Sequence, residues 1–214
     1  MMISSIQMQA VIEVPYYEGD FLCPWETPEF IPFSKIRLCA EMGYPQIGLV
    51  FAQLAQYNRI ELTADRQTVL RQILKAKSLV LPGGIQVVCQ KRGTISPSCC
   101  CGLESWREWI DVLKTGTSPW LGHDPSPWIE ITGDVVRVWS DGGIMQVNDA
   151  FYIDISRTHF EELLRLVKRD LEGFLFCIES WAREIGFVES KELVHKFDEC
   201  FSIMKNKDFR GQLL

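Results

Sequence analysis

Three consecutive cysteines, Cys99–Cys101, and the adjacent residues His123 and Asp124 are the side chains of this chain best suited to chemistry. Thiolate and imidazole groups are preferred zinc ligands, and zinc needs about four ligands that converge tetrahedrally. Cys99 and Cys101 would converge in a tight turn, with His123 arriving from the following loop. We therefore predict Cys99, Cys101 and His123 as ligands of a structural zinc ion. The alternative is that the cysteines are small buried apolar side chains and that no cofactor is bound.

The same residues suggest thiol chemistry as a further alternative. A helix predicted over 103–113 would begin just after the cysteines, and a helix N-terminus lowers the pKa of a nearby thiol. His123 would serve as the base. However, adjacent His and Asp side chains in a loop usually point apart, and Pro125 favours an extended backbone at Asp124. We therefore assign no catalytic residue and expect a protein without enzymatic activity.

Aromatic residues and acidic charge are concentrated in the same region. Five of the seven tryptophans lie between Trp106 and Trp139, and residues 116–156 hold six acidic side chains and one basic side chain. Rigid aromatic groups are typical of interface hot spots, and carboxylates repel nucleic acid. We predict a surface for a basic protein partner, such as a toxin or a subunit of a complex. The predicted contact residues are Trp120, His123, Asp124, Trp128, Glu130, Arg137, Trp139 and Asp141. The alternative is a second hydrophobic cluster under a solvated acidic face.

A hairpin is predicted within this region. Gly133 followed by Asp134 suits a two-residue turn with glycine first. With that turn, Trp128 faces Trp139 and Glu130 faces Arg137, while the aliphatic side chains of both strands share the opposite face. Aromatic pairs and pairs of opposite charge across strands are each worth about 0.2–1 kcal/mol.

The longest predicted helix covers residues 158–185, with a capping box formed by Thr158 and Glu161. Its apolar residues recur at alternating steps of four and three, which indicates one buried face or, alternatively, a homodimer contact. These residues are Phe160, Leu164, Val167, Leu171, Phe174, Ile178, Trp181 and Ile185.

Together these elements predict an α+β fold, in which this long C-terminal amphipathic helix backs a small antiparallel sheet of residues 79–90, 128–140 and 151–155. A strand is predicted near 9–14, and Pro82-Gly83-Gly84 is interpreted as a turn between two strands. Helices are predicted at 46–57, after an N-cap at Thr63, and at 191–205. We expect a Pro-rich, aromatic and helical N-terminal segment, 1–77, before a core domain, 78–214, or one continuous domain.

Composition limits the class of protein. The chain has 214 residues, of which 47% are hydrophobic and 23% charged, as is usual for folded soluble proteins. No segment approaches the roughly 18 uncharged apolar residues that span a bilayer. The N-terminus lacks a secretory signal pattern. We expect a cytoplasmic protein with reduced cysteines and no membrane partner.

Three stretches carry a resemblance to other proteins: Cys100 through Trp109, the run SPWLGHDPSPW over 118–128, and Val136 through Asp141. Together they resemble a block found in uncharacterised bacterial proteins. In size, charge and predicted fold class, the chain is similar to immunity proteins of bacterial toxin systems. That resemblance implies a cytosolic α+β protein that binds a protein partner, and it transfers no functional residue.

Overall fold

Two antiparallel sheets and five α-helices make up the fold in the computed structural model, which describes residues 6–142 and 149–204. The first sheet has the order β2-β1-β3-β4 and the second β5-β6-β7. The strands are β1 Ile6–Glu13, β2 Lys35–Arg37, β3 Gly83–Cys89, β4 Gly93–Ile95, β5 Trp128–Thr132, β6 Val135–Trp139 and β7 Tyr152–Ser156. The helices are α1 Tyr44–Tyr57, α2 Arg66–Lys75, α3 Glu108–Thr115, α4 Arg157–Glu184 and α5 Ser190–Phe201. The predicted α+β class is confirmed.

The prediction of one sheet is wrong, because β3 pairs with β1 and not with the hairpin. The expected turn at 82–84 is also wrong, since β3 begins at Gly83 and no strand is found at 78–81. A Cβ atom at Gly83 would lie 2.2 Å from the carbonyl oxygen of Val11. Gly83 therefore allows β3 to approach β1 closely, and a close approach of two backbones is a known role of glycine within a strand.

The predicted hairpin is confirmed. Trp128 is paired with Trp139 and Glu130 with Arg137, and Gly133 has a φ of +60° at the turn. One face is apolar and turned inward, where Ile129, Val136 and Val138 are almost fully buried; on the other, Trp128 remains 45% exposed. The strand after it, β7, pairs with β6 and completes the second sheet.

Helix α4 supplies one side of the core. Seven of its eight predicted seam residues, Phe160 through Trp181, are at most 1% exposed, and Ile185 is half-buried after the last turn. The helix packs against β1 of the first sheet and β6 and β7 of the second. These seven residues are thus buried against strands and helices of the same chain, as the first interpretation of the seam expects. The helix is capped by Ser156, whose side chain accepts a hydrogen bond from the His159 amide, and not by Thr158.

The N-terminal segment packs into the same core. The Trp25 ring stands edge-on to that of Trp181, with centroids 5.4 Å apart, and its Nε1 donates to the carbonyl oxygen of Gly48. A Cβ atom at Gly48 would lie 2.4 Å from the carbonyl oxygen of Glu26, so a glycine in α1 lets this segment lie directly on the helix.

Other helix boundaries differ from their predictions by a few residues. Asp65 caps α2 in place of Thr63, because its carboxylate accepts from two amides of the first turn. The helix expected over 103–113 divides into a 3-10 turn at Leu103–Ser105 and α3, which ends at Gly116 with φ +69°. Within the described residues, no helix combines the length and apolar character needed to cross a membrane.

A matched pair of leucines in α4 tests the buried seam. Leu171→Ala is expected to lower the free energy of unfolding by about 2–5 kcal/mol, because Leu171 is fully buried. Leu166→Ala, at a position 43% exposed, is expected to change it by less than about 0.5 kcal/mol. Urea unfolding of both variants measures the difference, and equal losses would contradict this packing of the helix.

Candidate functional site

A backbone contact between two loops builds the candidate site. The amide of Ser98 donates to the carbonyl oxygen of Leu121 (3.0 Å), and that of His123 to the carbonyl oxygen of Cys99 (3.1 Å). Between them, Gly122 has a φ of +100°, and a Cβ atom there would lie 2.6 Å from the Cys99 carbonyl oxygen. Only glycine fits this close approach. The pairing brings the predicted cysteine and histidine regions together.

Two thiols and one imidazole converge at this contact. The sulfurs of Cys99 and Cys100 lie 3.5 Å apart, and one ring nitrogen of His123 completes a group whose ligand atoms all lie within 4.8 Å of one another. Both cysteines are exposed and His123 is partly exposed. Successive side chains diverge on an extended chain. Here they meet because Cys100 adopts a left-handed backbone, with φ +65°.

Cys101, one of the three predicted ligands, lies outside this group. Its side chain is buried, and its sulfur lies 3.7 Å from the carbonyl oxygen of Trp120. Burial raises the pKa of the Cys101 thiol to about 12. The expected tight turn is present, because the Cys101 amide donates to the carbonyl oxygen of Ser98. The sulfurs that meet at this turn, however, are those of Cys99 and Cys100.

His123 and Asp124 form a hydrogen-bonded pair, so our expectation that they point apart is wrong. Nδ1 of His123 lies 2.8 Å from Oδ2 of Asp124. The backbone of Asp124 is left-handed, with φ +57°, and not extended. The carboxylate, and then the Cys100 side chain, raise the pKa of His123. The contact to Asp124 leaves Nε2 as the ring nitrogen available for another partner.

The two exposed thiols are not equivalent. Hydrogen bonds from Cys99 and then from His123 lower the pKa of Cys100, whereas the hydrogen bond with Cys100 raises that of Cys99. Cys100 therefore ionises first, and its thiolate is stabilised by side chains. The expected α-helix does not begin directly after the cysteines, because a 3-10 turn at Leu103–Ser105 follows them and α3 begins at Glu108. Chemically, the group is suited to bind a cation that prefers sulfur, or to present a nucleophilic thiolate.

A cleft of about 1100 Å³ opens beside the thiols. Its lining includes Cys99, Cys100, Asp124, Asp141 and Asp149. Residues from the N-terminal half complete it, including Glu13, Tyr16, Phe33 and Lys35, with Tyr16 and Phe33 stacked at 5.0 Å. We did not predict these four residues. The only signal for them was the aromatic and proline content of the first 45 residues.

The predicted partner-contact residues fall into two groups. Trp120 is 55% exposed, its ring centroid lies 6.3 Å from that of His123, and its Nε1 donates to the Cys100 carbonyl oxygen. His123, Asp124 and Trp120 thus lie together, and Asp141 reaches the same loop by accepting from the Ser126 amide. Trp106 and Trp109 are buried in the core, which agrees for these two residues with the alternative prediction of a hydrophobic cluster.

The second group is the outward face of the second sheet, with Trp128, Glu130, Arg137 and Trp139. Here the side chains are engaged within the sheet. Arg137 donates through Nε and one terminal nitrogen to the two carboxylate oxygens of Asp154 (2.7 and 2.9 Å) and lies 3.9 Å from the centre of the Tyr152 ring. Trp139 packs on Tyr152 with ring centroids 4.8 Å apart. These residues therefore stabilise strand pairing as well as presenting a surface.

Comparison of the chain with protein-family models, with curated proteins and with solved structures finds no match. The resemblance to bacterial and immunity proteins stays a prediction.

The order of thiol ionisation predicts selective alkylation. In the reduced protein, iodoacetamide should modify Cys100 first, with a pH midpoint below that of an ordinary cysteine, because its pKa is lowered. His123→Gln should move that midpoint upward. Mass spectrometry of peptides measures each site, with half-buried Cys39, whose pKa is raised, as the internal slow control. Modification of Cys99 before Cys100 would contradict this assignment.

The Arg137 contact predicts a pH-dependent contribution to stability. Arg137 lowers the pKa of Asp154, so the pair stabilises the folded state above the ordinary carboxyl pKa, about 3.9. That contribution disappears as the pH falls through the lowered pKa of the folded state. Asp154→Asn should therefore unfold at lower urea concentration than the wild type near neutral pH, and the difference should shrink in acid. A difference independent of pH would rule out the ion pair as its source.

Proposed function

We propose that the protein binds a basic, aromatic-containing segment of a partner protein in the cleft, and that it does so without enzymatic activity. The observation that carries the proposal is the convergence of three aspartates and two exposed aromatic rings on one concave surface. Asp124, Asp141 and Asp149 line the cleft together with Tyr16 and Phe33. These residues come from distant parts of the chain, so the fold itself assembles the surface.

The charge of the cleft favours a cationic partner. Among the described residues that line it, the ionisable side chains other than cysteine and tyrosine are four carboxylates, Glu13, Asp124, Asp141 and Asp149, and two cations, Lys35 and Arg59. Lys35 is bound to Glu13 at 3.2 Å, so these two charges offset each other locally. The remaining carboxylates attract a basic segment and accelerate its association.

Its shape and aromatic content favour a polypeptide over a small molecule. Small-molecule sites usually enclose about 300–1000 Å³, and this open cleft, at about 1100 Å³, lies slightly above that range. Tyr16 and Phe33 are 49% and 58% exposed despite their stacking. Exposed aromatic rings are the usual anchors of protein interfaces, and an arginine side chain stacks on them while pairing with carboxylates.

Trp120 extends this surface beyond the cleft. Its exposed ring lies beside His123, which neighbours Asp124 in the cleft wall. The proposal therefore keeps Trp120, His123, Asp124 and Asp141 among the predicted contact residues. It gives less weight to Glu130, Arg137 and Trp139, because these side chains already contact one another or neighbouring strands.

Binding of a designed peptide tests this function. A fluorescent peptide of alternating arginine and tyrosine should bind the full chain, and a peptide with glutamate in place of arginine should not. Phe33→Ala should weaken binding about fivefold or more, which corresponds to about 1 kcal/mol at an interface hot spot. The double substitution Asp141→Asn and Asp149→Asn should weaken peptide binding more than Phe33→Ala does. It should also reduce the dependence of peptide binding on salt concentration.

Two variants outside the cleft serve as controls. Phe176, on α4, is 71% exposed, so Phe176→Ala removes an exposed ring of the same type. Glu192→Gln, on α5, removes one carboxylate away from the cleft. Both should bind the peptide as the wild type does. Equal binding of the two peptides, or equal losses in Phe33→Ala and Phe176→Ala, would refute a specific acidic cleft.

A further inference from the structure

We propose that Cys99, Cys100 and His123 form a binding site for a zinc ion. Asp124 orients the His123 ring, and the fourth coordination position of the ion is open to the cleft. The zinc site does not depend on the peptide-binding function proposed above, although His123 and Asp124 take part in both. Its ligand set also differs from our sequence prediction, because Cys100 takes the place of Cys101. The proposal rests on ligand geometry, on the second contact of the histidine and on the position of the thiols.

The ligand geometry is close to that of a tetrahedral centre. Two sulfurs that each bind zinc at about 2.3 Å lie about 3.8 Å apart in a tetrahedron. Cys99 and Cys100 have a sulfur separation of 3.5 Å, and the His123 nitrogen lies within 4.8 Å of both sulfurs. To bind one zinc ion, the exposed side chains would rotate until all three atoms lie about 2.0–2.3 Å from it. Two thiolates and one imidazole are a ligand set that zinc prefers over hard cations.

Asp124 provides the contact that metal-binding histidines usually make. A histidine ligand commonly donates its other ring N–H to a carboxylate, which sets the tautomer and the ring orientation. Nδ1 of His123 lies 2.8 Å from Asp124 Oδ2, and the proposal therefore assigns Nε2 to the metal. The left-handed backbone of Asp124, at φ +57°, keeps the carboxylate beside the ring of the preceding residue.

The backbone around the site is held in place before any metal binds. The Cys99–His123 pairing joins the two ligand segments, and Gly122 permits the close approach. Cys100 occupies a left-handed conformation that is uncommon for residues other than glycine. Such conformations are energetically unfavourable, are retained where the surrounding structure imposes them, and cluster at functional sites. Here the conformation brings the Cys100 sulfur beside that of Cys99.

Three protein ligands leave the fourth position of a tetrahedral zinc ion for water or another ligand. Cys99, Cys100 and Asp124 line the cleft. A zinc ion bound to both thiolates would therefore lie at the cleft wall, with that fourth position accessible from the cleft. A closed structural site would be buried instead, with four protein ligands.

Metal titration of the reduced full-length chain tests the site. In an anaerobic buffer, the protein should take one equivalent of Zn²⁺ from a chromophoric chelator, and Co²⁺ should give the intense visible bands of a tetrahedral thiolate complex. Cys99→Ser, Cys100→Ser and His123→Ala should each abolish binding of that equivalent. Asp124→Asn should retain one equivalent with about 10- to 100-fold lower affinity, because the second contact of the histidine is lost.

Matched variants test whether a loss of zinc binding comes from the site itself, from the loss of any thiol or from misfolding. Cys177→Ser should bind zinc as the wild type does, because Cys177 contacts the Ala40 carbonyl oxygen and lies outside the group. Cys100→Gly should stay folded, since glycine suits φ +65°, and should lose the metal. Phe33→Ala should keep full zinc affinity even where peptide binding fails. Failure to bind one equivalent, or equal losses in Cys177→Ser and Cys100→Ser, would overturn the proposal.

Discussion

The burial of one face of α4 against both sheets is the constraint on which the rest of the structure depends. β1 belongs to the first sheet and β6 and β7 to the second, and no strand pairing joins the two sheets among residues 6–142 and 149–204. The common helix holds them in one core, with Phe174, Ile178 and Trp181 fully buried. The cleft is lined by residues in or next to strands of both sheets, among them Glu13 of the first sheet and Ser140 beside the second.

Local features of this fold were predictable from the sequence, because neighbouring residues determine them. A Gly-Asp turn sets the register of the hairpin, and the repeat of apolar residues sets the buried face of α4. The partition of strands between sheets was not predictable in this way. The apolar alternation of β3 suits pairing with β1 or with the hairpin equally well. The deciding feature is steric, since only glycine at position 83 allows the backbone of β1 so close.

In the candidate site, too, some features were predictable from the sequence and others were not. The residue types were sufficient to predict that a cysteine and His123 come together. Which cysteine joins Cys99 depends on one dihedral angle, the positive φ of Cys100, which sequence patterns do not encode for a residue other than glycine. The His123–Asp124 contact depends on a second such angle, at Asp124. The contribution of Tyr16 and Phe33 to the cleft depends on the path of an irregular segment that has no periodicity.

The position of the thiols links the two proposals physically. Asp124 lines the cleft and also orients His123, so one carboxylate contributes to the charge of the cleft and to the geometry of the metal ligands. Zinc bound by two thiolates forms a group without net charge, so a zinc ion that replaces two thiol protons leaves the net charge of the cleft unchanged. Metal binding would therefore affect a cationic segment near the thiols through the space that the ion takes and through the contact of Asp124 with His123. Asp141 and Asp149 also line the cleft and are not members of the metal-binding group, so the two binding events would compete only in part.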